Sequence, residues 1–330
     1  MLLSLVDENS RPNQNILNDI VKNVRFIELN IKAFGYDLAR QLATALPVRE
    51  GTVVSQVGLN SKPSTQDDIE SDWVAHWAAQ LKAPVIYHRK LWELAYVLQA
   101  IHEGGHLKAG ARGLGFGCGV EPIPSYLASQ GVSVTVTDLA NLEASAKGWV
   151  ASNQHLNGID GAFLPHLVDR GVFDNFVEFQ TADMNDIPDH LSGYDFCWSM
   201  CAMEHLGSIQ SGLSFVENSL KTLRPGGLSV HTMEFNVEDH GETIDNWMTV
   251  LFQRKHIEGI AERLRAQGHK VAELNFDFGD KPMDRFIDVP PWNHDMPDEM
   301  RDRVGNPYHL KLGIDGFIAT CFGIIIKKAE

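Results

Sequence analysis

Apolar positions recur at helical spacing through the first third of the chain. Ile16, Ile20, Val24, Ile27 and Ile31, then Leu38, Leu42 and Leu46, make 12–46 helical, with Gly35 as the one interruption and Pro47 as the stop. That spacing predicts two helices or one bent helix. A connector rich in Gly, Ser, Thr and Asp covers 51–68, and helical spacing returns at about 66–80 and 87–103. The later stretch opens on His88-Arg89-Lys90 and carries Trp92, Leu94, Ala95, Val97, Leu98 and Ile101. At Gly110 the pattern changes: short apolar runs alternate with helical stretches, as in a parallel sheet with crossover helices. Strands are predicted at 112–116, 133–137, 177–180, 196–200, 227–234, 270–276 and 317–327, and helices at 123–130, 212–223 and 243–267. Residues 277–316 hold five prolines and little periodicity, and read as an inserted loop or lid. The expected organisation is a helical N-terminal extension or cap over 1–109 and an α/β domain over 110–330.

Composition narrows the function. Apolar residues are 44% and charged residues 22%, an ordinary globular balance. The formal net charge of −15 repels polyphosphate, so a general nucleic-acid grip is not expected. No apolar run approaches the ~20 residues that span a membrane, and the first residues lack the charge pattern of a secretory signal. Cys118, Cys197, Cys201 and Cys321 are too few for a disulfide framework and read as free thiols in a reducing cytoplasm.

The densest signal is 111–139. A strand runs into Gly115-Phe116-Gly117-Cys118-Gly119, a helix follows, and the next strand ends in Asp138. Gly117 and Gly119 allow a tight turn and close approach of a ligand, and an acid about twenty residues on can accept from a ribose diol. The dinucleotide pattern G-x-G-x-x-G fails, because Val120 or Pro122 falls where its last glycine belongs. Glu121 would repel a diphosphate there and tolerate a cationic sulfonium and ammonium, which favours S-adenosylmethionine over NAD.

On these residues the chain resembles the class I, Rossmann-like S-adenosylmethionine-dependent methyltransferases. Three later runs agree in order: Ala182-Asp183-Met184-Asn185, Tyr194-Asp195-Phe196-Cys197-Trp198-Ser199-Met200 and Leu223-Arg224-Pro225-Gly226-Gly227. The resemblance implies a seven-stranded, mostly parallel sheet with helices on both faces. It implies a cofactor site built from Gly115, Gly117, Gly119, Glu121, Asp138, Asp183, Met184 and Met200. Two positions depart from the family's first motif: Gly115 stands where an acid is usual, and Glu121 where a third glycine is usual.

Ligands of open parallel sheets lie beyond the carboxyl ends of the strands. There the sequence places Cys201-Ala202-Met203-Glu204-His205 and His231-Thr232-Met233-Glu234-Phe235-Asn236. An oxygen nucleophile must lose a proton, and a neutral histidine is the natural base near pH 7. His205 is the first candidate, with Glu204 to orient it or to bind substrate. Glu234, His294 and His231 are candidate substrate contacts, although His231, on an apolar strand, reads more readily as a core histidine. The set also resembles the small-RNA 2′-O-methyltransferases, whose Glu-x-x-Glu-His binds a divalent metal. Cys201 holds the first Glu position here, so no metal is expected. The expected activity is O-methylation of a hydroxylated small molecule, sugars first. The N-terminal helices are expected to cover the cofactor or to join two copies. An NAD-dependent oxidoreductase and a non-catalytic cofactor-binding subunit are the alternatives.

Overall fold

The computed structural model describes residues 5–6, 9–47, 49, 51–140, 155–156, 158–245, 248–292 and 295–330. Helix α1 (Gln14–Ala45) is followed by strand β1 (Lys62–Pro63) and helices α2 (Gln66–Ile69), α3 (Asp72–Gln80) and α4 (Arg89–Glu103). Next come β2 (Arg112–Phe116), α5 (Ile123–Ser129), β3 (Ser133–Asp138), α6 (Arg170–Phe176), β4 (Val177–Thr181) and β5 (Tyr194–Met200). After them lie α7 (Ile209–Ser219), β6 (Leu223–Asn236), α8 (Arg254–Ala266) and β7 (Lys270–Val271). The chain ends with α9 (Pro282–Arg285), β8 (Ile287–Asp288), α10 (Asp298–Val304), β9 (Lys311–Ile314) and β10 (Phe317–Lys327).

The strands form one sheet in the order β4-β3-β2-β5-β6-β10-β9-β8. Strands β4, β3, β2, β5 and β6 are mutually parallel, and β10 returns antiparallel to β6. This is a Rossmann-like α/β architecture, a mostly parallel sheet with helices packed on it. The sheet has ten strands among the described residues rather than seven, because β1, β8 and β9 are short additions at the β10 side. One edge of β10 is shared by β9 near Phe317, β1 at Phe322 and Gly323, and β7 at Ile326 and Lys327. The N-terminal segment is thereby stitched into the sheet.

Side chains alternate across the strands and fill a core on each face. Phe196, Trp198, Leu228, Val230 and Cys321 pack with Trp77, Trp92 and Tyr96 of α3 and α4. Cys197, Met233, Phe235 and Phe322 pack on the other face with Phe215 and Ile257. On β6 this phase puts Thr232 and Glu234 on the α4 face, and Ser229 and His231 on the α7 face.

Of the two readings of 12–46 the single helix holds, and two other expectations needed revision. Residues 14–45 form one helix: Gly35 passes through it because the ring of Phe286 lies 2.2 Å from where a Cβ would stand. The helix expected over 243–267 begins only at Arg254, because 250–252 run extended beside β6. Val250 N–H donates to the Glu204 carbonyl, and Phe252 bonds Glu234 and Asn236 through its backbone. The strand expected over 270–276 keeps two residues, since Leu274 bridges to Ser61 instead.

Gly323 lies under Tyr96, a fully buried side chain whose hydroxyl donates to the Asn60 carbonyl at 2.8 Å. A Cβ at 323 would fall 2.2 Å from that ring. Alanine ordinarily stabilises a strand interior relative to glycine. Here Gly323→Ala is expected to lower unfolding free energy by roughly 1–3 kcal/mol through overpacking, read from urea denaturation.

Candidate active site

The turn after β2 is built as the sequence indicates. Gly117 and Gly119 adopt φ +55° and +53°, where a Cβ is strained. Cys118 N–H donates to the Thr137 carbonyl at 3.1 Å, which ties the turn to the end of β3. Asp138 at that end accepts from the backbone N–H of Gly119 (3.3 Å), Leu139 (2.8 Å) and Leu156 (2.9 Å). A Cβ on Gly117 would lie 3.0 Å from the Ala202 methyl and 3.3 Å from the Met184 sulphur. The turn therefore faces the loops after β4 and β5. Asp183, half-buried, accepts from Asn185 N–H at 2.8 Å and shapes the turn that presents Met184. Met200 is half-buried at the end of β5.

Two members of the expected cofactor set do other work. Gly115 is small because the Trp198 ring lies 2.5 Å, and Cys118 Sγ 2.3 Å, from where its Cβ would stand. Glu121 is buried, and its Oε1 accepts from Trp198 Nε1 at 2.6 Å. Burial pushes its pKa up to about 8, against the pull of the Trp198 hydrogen bond and of Lys90. Burial thus favours the neutral form of Glu121, and its carboxyl is held by Trp198 in this structure.

On the other side of the strand tips lies a dense polar cluster on the α4 face. Cys201 takes φ +44°, and its N–H donates to the Thr232 carbonyl at 3.0 Å. Arg89 pairs with Glu234 and donates to Cys321 Sγ at 3.4 Å. Glu93, fully buried, accepts from Thr232 Oγ1 at 2.8 Å and Cys321 Sγ at 2.9 Å, with Lys90 Nζ at 3.3 Å. The Arg89-Lys90-x-x-Glu93 run thus inserts into the strand tips; the i, i+3 and i+4 spacing that puts these side chains on one helix face was the available signal.

Glu204 is completely buried, and among the described residues neither carboxyl oxygen has a hydrogen-bond partner, nor do Glu234 Oε2 and Arg89 Nε. Burial, and then the charge of Glu234, pushes the Glu204 carboxyl well above the usual carboxylate range. In its protonated form Glu204 offers a donor and an acceptor, and the Glu234 carboxyl paired with Arg89 offers an acceptor. Ligand atoms of Cys201, Glu204 and Glu234 lie within 4.8 Å of one another, as do those of Glu93, Cys201 and Cys321. Glu234 and Glu93 already have cationic partners in Arg89 and Lys90, and we assign no metal to them.

The remaining candidates separate. Among the described residues Glu204 shows no hydrogen bond to His205, whose Nδ1 lies 2.8 Å from the Met248 carbonyl and 3.2 Å from Thr249 Oγ1. His231 departs from its expected substrate role: it is fully buried on the α7 face, beside Ser199 (2.8 Å), Ser219 (3.1 Å) and Ser229 (2.7 Å). Burial lowers its pKa to about 3, so it is a neutral core histidine. His294 lies outside the described residues.

No protein-family model matches the sequence, and no curated protein matches it. Solved structures with a related fold include phosphoethanolamine N-methyltransferase 2 of Haemonchus contortus, with 14% identity, 71% of this chain and 52% of that chain covered, and TM-score 0.42. Another is a methyltransferase of Methanosarcina mazei, with 15% identity, 69% and 96% covered, and TM-score 0.42. A third is a sarcosine dimethylglycine methyltransferase of Galdieria sulphuraria, with 13% identity, 72% and 88% covered, and TM-score 0.39. The aligned region spans about half the length of the Haemonchus enzyme.

A buried acid whose folded pKa exceeds its ordinary value stabilises the fold while protonated. That contribution is lost as pH rises from about 4.5 through about 8. Glu121→Gln keeps an acceptor for Trp198 and cannot ionise. Thermal melts should show it more stable than the wild type at about pH 8.5, by at least roughly 2 °C, with the margin shrinking toward pH 5.

Proposed function

We propose that this chain is an S-adenosylmethionine-dependent methyltransferase acting on a hydroxyl oxygen of a small polyhydroxylated molecule such as a sugar. The observation that carries the oxygen acceptor is the pairing of a buried, protonated Glu204 with an Arg89-held Glu234. Together they offer a donor and acceptors to a ligand, and they suit a diol. Support for the cofactor is the glycine turn at positive φ, closed on one side by Asp138 and on the other by Met184 and Ala202.

Gly117 and Gly119 would leave room for the cofactor's chain, Asp138 would accept from its ribose, and Met184 would flank its base. When bound, S-adenosylmethionine supplies an electrophilic methyl on a positively charged sulphur. The protein's share is to hold the acceptor oxygen in line and to exclude water, which can account for much of the rate. Glu234 and Glu204 fix the acceptor, and the Arg89–Glu234 and Lys90–Glu93 pairs fix those carboxyls from α4. An NAD-dependent oxidoreductase is disfavoured because Glu121 and its Trp198 partner close off the position of the third glycine.

The acidic surface and the absence, among the described residues, of a helix long and apolar enough to cross a membrane agree with a small, water-borne acceptor. A further part of the reading is a dimer through α1. Ile20, Val24, Ile27, Ile31, Phe34 and Leu38 form an exposed stripe at alternating four- and three-residue steps, with Val21 and Phe26 beside it. Their exposed area is on the order of 800 Å² per copy, the size of a standard interface. A second copy offers the same stripe.

Isothermal titration should show S-adenosylhomocysteine binding and no NADH binding; NADH binding alone would end the reading. Asp138→Ala should weaken that affinity at least about tenfold, a loss of roughly 1.4 kcal/mol. Sedimentation should give a dimer that Val24→Glu with Ile27→Glu converts to monomer; a wild-type monomer at micromolar concentration contradicts the α1 interface.

A further inference from the structure

The segment 286–312 carries a second polar cluster that the proposed site does not use. Asp288 is fully buried. Its Oδ1 accepts from Lys32 Nζ at 2.7 Å and Val289 N–H at 3.0 Å, and its Oδ2 from Tyr36 Oη at 2.7 Å. His309 Nδ1 lies 2.7 Å from the same Oδ2. An ionised carboxylate only accepts, so Nδ1 carries the imidazole proton and the lone pair sits on Nε2. Among the described residues that Nε2 has no hydrogen-bond partner, and His309 is 7% exposed.

The ring beside it has the opposite tautomer. His88 caps α4 by accepting Lys90 N–H on its Nδ1 at 3.0 Å, so its proton lies on Nε2. The two ring centroids are 4.7 Å apart, with Trp292 6.5 Å from His309 at an angle of 68°. Burial lowers the pKa of both rings below the ordinary value. For His88 the charges of Arg89 and Lys90 add to this; for His309 Asp288 opposes it. Both are neutral at pH 7. The pair is tied to the strand tips through Arg89, whose N–H donates to the His309 carbonyl at 2.9 Å and whose guanidinium holds Glu234.

We propose that His309, positioned by Asp288, is the proton acceptor for a bound acceptor hydroxyl, with His88 donating from Nε2 to the neighbouring oxygen. The O–H bond breaks, an N–H bond forms at His309 Nε2, the electron pair stays on the oxygen, and the proton then passes to water. Lys32 and Tyr36 from α1 hold Asp288 in place, so the base site is assembled from α1, the start of α4 and the inserted segment. The proton-accepting arrangement stands on its own; only its use in methyl transfer rests on the proposed function.

Diethyl pyrocarbonate acylates an unprotonated imidazole nitrogen, and mass mapping on the full-length protein at pH 7 reads each histidine separately. His88 is the more exposed of the two rings, so exposure alone predicts that it reacts first. The tautomers predict the reverse: His309 labelled about fivefold faster or more, and slowed at least about fivefold by Asp288→Asn, whose amide can donate to Nδ1 and move the proton to Nε2. Labelling of His88 at an equal or higher rate, no labelling of His309, or an unchanged rate in a folded Asp288→Asn overturns the proposal. Lys32→Met added to Asp288→Asn removes the stranded charge if the single variant does not fold, and the wild-type order of labelling decides alone if neither folds.

Methyl transfer to a panel of methyl glycosides is the second readout. His309→Gln should lower kcat by about 10²–10⁴-fold with KM and S-adenosylhomocysteine affinity nearly unchanged. An unchanged kcat overturns the role in proton removal. If no glycoside is methylated, the labelling result decides. Failure to bind S-adenosylhomocysteine would defeat the methyltransferase reading while leaving the labelling result standing.

Discussion

A carboxyl group buried without a partner is costly, by about 1–3 kcal/mol even when it is neutral. Glu204 is in that position at the end of the central strands, and the surrounding structure makes it tolerable. Protonation removes its charge, as its raised pKa states. Arg89 takes the neighbouring Glu234, and Lys90 takes Glu93, so the remaining carboxylates of this cluster are not left against one another. The N-terminus of α4 must therefore sit on the strand tips. That in turn requires α3 and α4 to cover this face of the sheet, with Tyr96 against Gly323 and β1 paired to β10. Hydrogen-bonding capacity left open at Glu204, Glu234 and Arg89 is what a polar ligand would fill.

The parallel half of the fold was legible because its signals are local. Apolar strands bounded by glycine and aspartate turns fall within a residue or two of the observed β2, β3, β4 and β5, and β10 agrees at both ends. Elements that depend on distant partners were not legible. Residues 250–252 have helical company in the sequence, yet run extended because Glu204 and the last residues of β6, Glu234 and Asn236, offer backbone partners. Gly35 reads as a break and is instead the place where Phe286 crosses α1.

The site divides in the same way. Gly117, Gly119 and Asp138 announce themselves through spacing, and Glu204 and Glu234 through their places after β5 and β6. The sequence did not show that Glu121 is buried beside Trp198, a tertiary fact that raises its pKa and ties its carboxyl to the indole N–H. His231 was misplaced by one step of strand alternation, which turns it toward Ser199, Ser219 and Ser229 on the opposite face from Glu234. Arg89 and Lys90 look like a solvated helix start in the sequence. Only the folded chain shows them as the counter-charges of Glu234 and Glu93.

A structure of the protein crystallised with S-adenosylhomocysteine tests the central claim most directly. The account predicts density over the Gly117–Gly119 turn, with ribose hydroxyls at Asp138 and the homocysteine sulphur directed toward Cys201 and Glu234. A cleft that stays empty at saturating ligand, or ligand density away from this turn, would contradict it.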